Sequence, residues 1–176
     1  MTRIYVDATT LIALGTVGEL ELLTEFDGTV ILLPSITQEV TTEPAATNVS
    51  RFCSTSGVQT TRRCTSNHDG RAQEILNEQQ IHGDVRLIAS VLTHTERGES
   101  VAVVSDDRRV RTVAGGLGAD VTGTIGVVVR AVASGMEPAD AKRLVRRLDE
   151  QGLHMTAALR DRADELIERE GKRVDE

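Results

Sequence analysis

The sequence predicts an α/β fold with a mostly parallel central sheet, and two features of the chain support this. Val101–Val104 is a run of apolar, mostly β-branched residues, which is typical of a strand buried on both faces. Arg3–Asp7 and Val30–Leu33 contain similar apolar runs, and residues with helical spacing lie between the strands. Strands that alternate with helices along a chain are typical of parallel sheets covered by helices.

The other elements follow from apolar spacing, capping residues, and glycine or proline breaks. In the first part of the chain we expect, in order, a helix through Leu11–Leu14, helical spacing over Glu19–Phe26, the strand Val30–Leu33 and a helix over Ser35–Thr42. Residues Glu43–Gly70 are rich in Thr, Ser, Asn and Arg, and predict only a short strand at Val58–Thr61. Beyond them we expect helices at Arg71–Gln80, from Asp84 to Leu92, through Val110–Ala114, at Val127–Ala133, Ala139–Glu150 and Thr156–Glu170, and a short strand near Asp120–Thr122.

Length and composition indicate a single domain over residues 1–176, with a divergent polar segment at about 43–80 and a helical extension at about 137–170. The formal net charge of −7 argues against a generic basic nucleic-acid-binding surface, although not against a locally basic face. The N-terminus runs directly into a strand without a signal peptide, and no apolar run is long enough to cross a bilayer. We therefore expect a cytoplasmic protein with no membrane partner.

Acidic residues recur where predicted strands end and helices begin. Asp7 follows the first strand, Asp106 and Asp107 follow the strand that starts at Val101, and Glu39 and Asp84 lie at helix starts or one turn beyond a strand. Carboxylates crowded at one sheet edge repel unless a cation or shared protons compensate. Such oxygen ligands suit Mg²⁺ or Mn²⁺, which polarise phosphoryl oxygens. This pattern favours metal-dependent phosphodiester hydrolysis, although each carboxylate alone also suits a solvated charge or a helix cap.

Three other kinds of α/β phosphate chemistry lack their sequence features here. A dehalogenase-type phosphatase needs Asp-x-Asp after the first strand, but Ala8 and Thr9 follow Asp7. A response-regulator receiver needs a lysine after a late strand, and neither Lys142 nor Lys172 follows one. The chain has no G-x-x-x-x-G-K and no G-x-G-x-x-G, so it lacks these nucleotide-cradling loops.

Four short motifs resemble those of PIN-domain ribonucleases, in the same order and at corresponding junctions. They are Asp7–Leu14, Leu33–Val40 with Glu39 at the acidic position, Gly83–Ala89 with Asp84 opening a helix, and Val104–Asp107. Gly123–Val127 and Leu148–Ile167 are similar to the end of a PIN subgroup that includes VapC-like toxins. The resemblance covers most of the chain but not Glu43–Gln80.

The resemblance implies a PIN-like three-layer α/β/α fold and an endoribonuclease that depends on Mg²⁺ or Mn²⁺. The catalytic acids that it implies are Asp7, Glu39, Asp84 and Asp107. The residues that it implies would hold the metal are Asp7, Asp84, Asp107 and Asp106. Thr9 and Ser105 would support ligands or waters, although both hydroxyls also suit helix or turn capping. Because members of the family often pair with a small antitoxin and dimerise, the implied partners are RNA, a small antitoxin protein and a second copy of the chain.

Two consecutive aspartates compete for one position in this site. Side chains alternate faces along a strand, so Asp106 and Asp107 cannot both point at one metal if the extended geometry persists. The motif spacing, counted from Ser105, selects Asp107. Asp106 would then point away or cap the helix that begins at Arg108–Val110, unless a turn at Ser105 lets both carboxylates reach the metal.

RNA binding by a chain of net charge −7 requires concentrated arginine. The candidates are Arg62, Arg63, Arg108, Arg109 and Arg111. With no Trp and one Tyr, base stacking on aromatic rings is nearly excluded, so phosphate and arginine contacts must dominate. The alternative to an enzyme is a non-catalytic PIN-like module that binds RNA or protein, and Mn²⁺ binding at the acidic crevice distinguishes the two.

Overall fold

A computed structural model describes residues 1–61 and 67–174, and its centre is a five-stranded parallel sheet. The strands are β1 (Thr2–Val6), β2 (Gly28–Leu32), β3 (Val58–Thr60), β4 (Val101–Val104) and β5 (Asp120–Thr122). Their order in the sheet is β3-β2-β1-β4-β5, and each neighbouring pair is parallel. The prediction of a three-layer α/β/α fold with a parallel sheet is therefore confirmed.

Helices connect the strands and continue beyond the last one. In chain order they are α1 (Ala8–Val17), a 3₁₀ helix (Leu20–Glu25), α2 (Pro34–Thr37), α3 (Ala45–Phe52), α4 (Asp69–Leu76), α5 (Gly83–Glu96), α6 (Arg108–Gly116), α7 (Thr124–Ala133), α8 (Pro138–Glu150) and α9 (Ala157–Val174). Helix α1 packs against α3, α7 packs against α8 and α9, and α5 contacts both α4 and α6. Among the described residues, no helix is both long and apolar enough to span a membrane.

The register of the two central strands fixes where the acidic residues meet. Ile4 pairs with Ala102 and Val6 with Val104, so β1 and β4 end at the same level of the sheet. The backbone N–H of Asp7 donates to the carbonyl of Val104 at 2.9 Å and extends this alignment by one residue. Asp7 and the residues after β4 therefore lie at one edge, at the carboxyl ends of the strands, where α/β proteins bind ligands.

Aliphatic side chains fill the core because the chain has few aromatic residues. The single tyrosine, Tyr5, is 1% exposed, and its hydroxyl lies 2.8 Å from His94 Nε2. The other ring nitrogen of His94 lies 2.6 Å from Glu99 Oε2. These contacts give the buried phenol and imidazole the hydrogen-bond partners that burial requires.

The segment that the sequence left unassigned contains helix α3. Its apolar residues Ala45, Val49 and Phe52 are buried at helical spacing. Ala45 lies so close to α1 that a Cβ on Gly15 would be 3.1 Å from its Cα, and Asn48 donates to the Gly15 carbonyl at 2.8 Å. Glycine at position 15 thus permits close packing of two helices, and this tertiary contact stabilises a segment of weak local signal.

Helix α2 is shorter than the predicted Ser35–Thr42. It ends at Thr37, and the N–H groups of Glu39 and Val40 donate to carbonyls three residues earlier, at 3.0 and 3.2 Å. Tightening of the last turn to this spacing is common at helix ends. Glu39 consequently stands at a helix end instead of on a helix surface.

Candidate active site

The carboxyl edge of the sheet carries the acidic residues that the sequence singled out. Asp7 directly follows β1, Asp106 and Asp107 follow β4, Asp84 lies in the first turn of α5, and Glu39 follows α2. The structure brings Asp7, Asp84, Asp107 and Glu39 near enough for their charges to interact. It directs Asp106 towards a different neighbour, Thr124.

Asp7 is the most enclosed of these acids and is 3% exposed. Its Oδ1 accepts a hydrogen bond from the N–H of Ala8 at 2.6 Å, which caps α1. Its Oδ2 accepts hydrogen bonds from the hydroxyls of Thr9 at 3.0 Å and Ser105 at 2.7 Å. Both hydroxyls thus orient the Asp7 carboxylate, and the buried charge has the donors that it needs.

Ser105 connects the two strand ends. Its Oγ donates to Asp7 Oδ2 and accepts from the N–H of Asp107 at 3.0 Å. The side chain is fully buried. One hydroxyl therefore fixes the distance between the end of β1 and the loop that carries Asp107.

Asp106 and Asp107 accept hydrogen bonds from the starts of two different helices. Both lie beyond β4, which ends at Val104, so the alternation of side chains along a strand does not set their directions. Asp107 Oδ1 accepts from the N–H groups of Arg109 at 2.6 Å and Val110 at 3.0 Å, so Asp107 is the N-cap of α6. Asp106 accepts from the N–H of Thr124 at 2.8 Å and from its hydroxyl at 2.5 Å. Of the two alternatives for Asp106, capping of the helix that begins at Arg108–Val110 is therefore wrong, and its side chain points to another helix start instead. Asp107 caps that helix, and Asp106 holds the start of α7.

Asp84 experiences the combined field of the other acids. Burial, with the negative charges of Asp7, Asp107 and Glu39, raises the pKa of Asp84 to about 6, while His82 opposes the shift. The guanidinium of Arg109 lies near this carboxylate, with 3.9 Å between Arg109 Nη2 and Asp84 Oδ2. The site therefore holds more negative charge than its own side chains neutralise.

Glu39 is bound to the start of the helix that carries Asp84. Its Oε1 accepts from the N–H of Gly83 at 3.0 Å. A Cβ on Gly83 would lie only 2.5 Å from that oxygen, so a side chain at this position would displace the carboxylate. From the sequence, Gly83 indicated only a helix break. The lack of a side chain at Gly83 leaves space for the Glu39 carboxylate, and this role depends on a contact between segments 44 residues apart.

The candidate RNA-binding arginines have different surroundings. Arg109 Nη2 pairs with Glu78 Oε1 at 2.8 Å, and Arg109 Nη1 donates to the carbonyl of Leu76 at 3.3 Å. Arg111 Nη1 donates to the carbonyl of Ser105 at 2.7 Å, and Arg108 is exposed. Arg62 and Arg63 lie outside the described residues. Glu78, which the sequence analysis did not single out, thus holds one of the arginines nearest the acids.

The donor set fits a divalent cation in its chemistry, because Asp7, Asp84 and Asp107 offer carboxylate oxygens, the ligands that Mg²⁺ and Mn²⁺ prefer. Within residues 1–61 and 67–174, no three His, Cys, Asp or Glu side chains are gathered closely enough to form a ready ligand group. Asp107 Oδ2 and Glu39 Oε2 accept no hydrogen bond within the same ranges. The residues therefore fit such an ion by charge and oxygen chemistry, and their side chains must converge to bind it.

The model of a family described as a PIN domain matches residues 3–169. Searches of curated proteins and of solved structures gave no significant match.

Proposed function

We propose, from the premise that the chain belongs to the PIN-domain family, that it is an endoribonuclease which requires Mg²⁺ or Mn²⁺ and hydrolyses RNA phosphodiester bonds. Membership of this family indicates a nuclease-related function in general terms. The metal, the RNA substrate and the catalytic residues are the specific parts of the proposal.

The observation that supports it best is the position of Asp7 and Asp107 on either side of the Ser105 hydroxyl. That hydroxyl donates to Asp7 Oδ2 at 2.7 Å and accepts from the Asp107 N–H at 3.0 Å. Asp84 faces both carboxylates from the first turn of α5. An acidic group built this way, at the carboxyl edge of a parallel sheet, is suited to a hard cation and its phosphate ligand.

Asp7, Asp84 and Asp107 would hold the cation. When bound, such an ion polarises a phosphoryl oxygen and makes a nearby water more acidic. Thr9 and Ser105 keep Asp7 Oδ2 oriented towards the crevice by donating hydrogen bonds to it. Glu39 fixes the backbone of Gly83, and with it the helix start that presents Asp84. Asp106 contributes by positioning α7, because Thr124 donates to both of its oxygens.

RNA would reach the crevice through its phosphates. Arg108 and Arg111 lie on α6 beside the acids, and Arg62 and Arg63 are further candidates from the sequence. The VapC-like features add a biological role to the proposal, namely the toxin of a pair with a small antitoxin protein, acting as a homodimer. Because the contacts with RNA would be made between arginines and phosphates, we expect RNA affinity to fall as the salt concentration rises.

The test is cleavage of a labelled RNA by the purified protein with EDTA, Mg²⁺ or Mn²⁺. We expect cleavage only with a divalent ion, and almost none in Asp7→Asn, which keeps the size of the side chain. The matched control is Asp161→Asn, which removes an exposed carboxylate from α9. RNA binding without cleavage under any metal condition would instead favour the non-catalytic module. Equal cleavage rates in Asp7→Asn and the wild type would show that Asp7 is not catalytic.

A further inference from the structure

A cavity of about 400 Å³ is lined in part by Asp106 and Arg111, which follow the end of β4. It is formed between the end of β5, the start of α7, and the α8–α9 connection with the adjoining part of α9. Its apolar walls are Ile125, Leu153, Met155, Leu159 and Leu166. Its polar groups include Asp106 and Arg111, with the exposed His154 at the edge. Its volume lies within the range of about 300–1,000 Å³ that is typical of small-molecule sites.

Asp106 lines this cavity and also lies near the helix that Asp7 caps. On one side, Asp106 Oδ2 lies 3.5 Å from the hydroxyl of Thr10, in the first turn of the helix that Asp7 caps. On the other side, both of its oxygens accept from Thr124 at the start of α7. Short contacts therefore connect the cavity to the acidic residues, from Asp106 to Thr10 and from Arg111 to Ser105, whose hydroxyl donates to Asp7.

Arg111 brings hydrogen-bond donors to this cavity. Its Nη1 donates to the Ser105 carbonyl at 2.7 Å, which fixes the guanidinium near the end of β4. In the described part of the chain, this carbonyl is its one recorded partner, and Arg111 forms no ion pair with Asp106. The remaining N–H groups are thus available to a ligand, and a guanidinium presents them as a planar, two-pronged donor.

In a protein with almost no aromatic surface, an RNA base that is turned out of its stack requires apolar walls and a planar hydrogen-bond donor. The chain has no Trp, and its single Tyr is buried in the core, so stacking must come from aliphatic side chains. Among the bases, guanine offers two acceptors on one edge, O6 and N7, which match an arginine fork. We propose that this cavity binds one guanine base of the RNA substrate and so selects the sequence at the cleavage site. This proposal rests on the proposed ribonuclease function.

The test measures binding of small probes to the full chain in EDTA, so that it does not depend on catalysis. The probes are guanosine 5′-monophosphate, adenosine 5′-monophosphate and ribose 5-phosphate, followed by ligand-detected NMR. We expect guanosine monophosphate to bind about tenfold more tightly than the other two. Arg111→Ala should weaken that binding about tenfold, and so should Leu159→Asp, which puts a charge on an apolar wall.

Two controls separate recognition from misfolding. Ile75→Asp places the same charge at a hydrophobic residue on α4 that is similarly exposed, 39% against 43% for Leu159, and should leave binding unchanged. Thermal unfolding checks that Arg111→Ala remains folded, and Leu159→Asp tests the site without touching the Ser105 carbonyl. The second measurement is sequencing of the RNA ends produced by each active variant. Cleavage next to guanine should become indiscriminate in Arg111→Ala and Leu159→Asp.

The possible outcomes distinguish this proposal from the one on which it rests. Equal binding of all three probes, or an unchanged guanine preference in both variants, overturns the base site while leaving the nuclease intact. Binding of guanosine monophosphate by a chain that never cleaves RNA overturns the nuclease and leaves the base site in a binding module. Tight binding of ribose 5-phosphate alone would assign the cavity to phosphate and contradict the proposal.

Discussion

Asp84→Asn should make the protein more stable in the absence of metal while it abolishes RNA cleavage. Burial and three neighbouring carboxylates raise the pKa of Asp84 from 3.8 to about 6. At about 1.36 kcal/mol per pH unit, this difference corresponds to about 3 kcal/mol of unfavourable free energy for the charged form in the folded state. Asparagine has nearly the same shape and no charge. Allowing for relaxation around the mutated site, we expect a gain of about 1–3 kcal/mol at pH 8.

The pH dependence of this gain follows from the direction of the shift. Because the folded state holds the proton more tightly than the unfolded chain does, ionisation of Asp84 costs stability as the pH rises from 3.8 to about 6. Below pH 3.8 the carboxyl is protonated in both states, and this contribution disappears. The stability difference between Asp84→Asn and wild type should therefore be absent at low pH and complete above pH 6.

The assay is thermal and urea unfolding in EDTA, at several pH values between those limits and at pH 8. For a chain of this length, each kcal/mol should raise the melting temperature by about 2–4 °C. Asp161→Asn, on the exposed face of α9, is the control and should show no such pattern. Added Mn²⁺ should stabilise the wild type by mass action and have a much smaller effect on Asp84→Asn. A variant that is no more stable than wild type at pH 8 would refute the reasoning, because the acids would then not be crowded.

Four further substitutions test the parts of the site separately. Asp107→Asn should nearly abolish RNA cleavage at saturating Mn²⁺. Asp106→Asn should keep much of the cleavage rate, because an asparagine oxygen can still accept from the N–H that starts α7. If parallel rate measurements showed a larger loss for Asp106→Asn, the roles of the two residues would be reversed. Ser105→Ala should reduce the cleavage rate about 10–100-fold and lower the free energy of unfolding by about 1–2 kcal/mol, because it removes the hydroxyl that connects two carboxylate-bearing segments. Single-turnover kinetics measure the first effect and chemical denaturation the second. An unchanged cleavage rate would show that the hydroxyl only caps a turn. Glu78→Gln should lower KM for RNA and make RNA affinity fall more steeply with salt, because it removes a negative charge and releases Arg109. Fluorescence anisotropy at several salt concentrations measures this affinity. An unchanged slope of affinity against salt concentration would show that Arg109 does not contact RNA.

The fold could be predicted from the sequence because its signals are local and repeated. The apolar strands at Arg3–Asp7, Val30–Leu33 and Val101–Val104 end next to helix caps, and parallel strands place all those ends at one edge. Helix α3 was missed since its buried face is only three residues long, and its stability depends on close contact with Gly15. Short elements of this kind depend on tertiary packing more than on intrinsic propensity.

Within the site, the sequence indicated the acids but not what holds them. The contacts Glu39–Gly83 and Arg109–Glu78 join segments 44 and 31 residues apart, and both involve residues in turns or at helix ends. No spacing rule relates such positions, because their distance is set by how the helices pack on the sheet. Strand alternation predicted that Asp106 and Asp107 would diverge, but both lie beyond the end of β4. Their directions are set instead by hydrogen bonds to the starts of α6 and α7.

Capping and metal binding need not be alternatives for these carboxylates. Asp7, Asp107 and Glu39 each accept a hydrogen bond at one oxygen from the N-terminus of a helix, which holds the side chain in place. The second oxygen of Asp7 accepts from hydroxyl groups, and those of Asp107 and Glu39 accept no hydrogen bond in the described structure. Asp106 gives both oxygens to Thr124 at the start of α7, and its charge is not among those that raise the pKa of Asp84. Asp84 caps nothing, and its charge is the one most opposed by its surroundings. The free energy of binding a divalent cation should therefore depend most on Asp84 and least on Asp106, with the capping acids between these extremes.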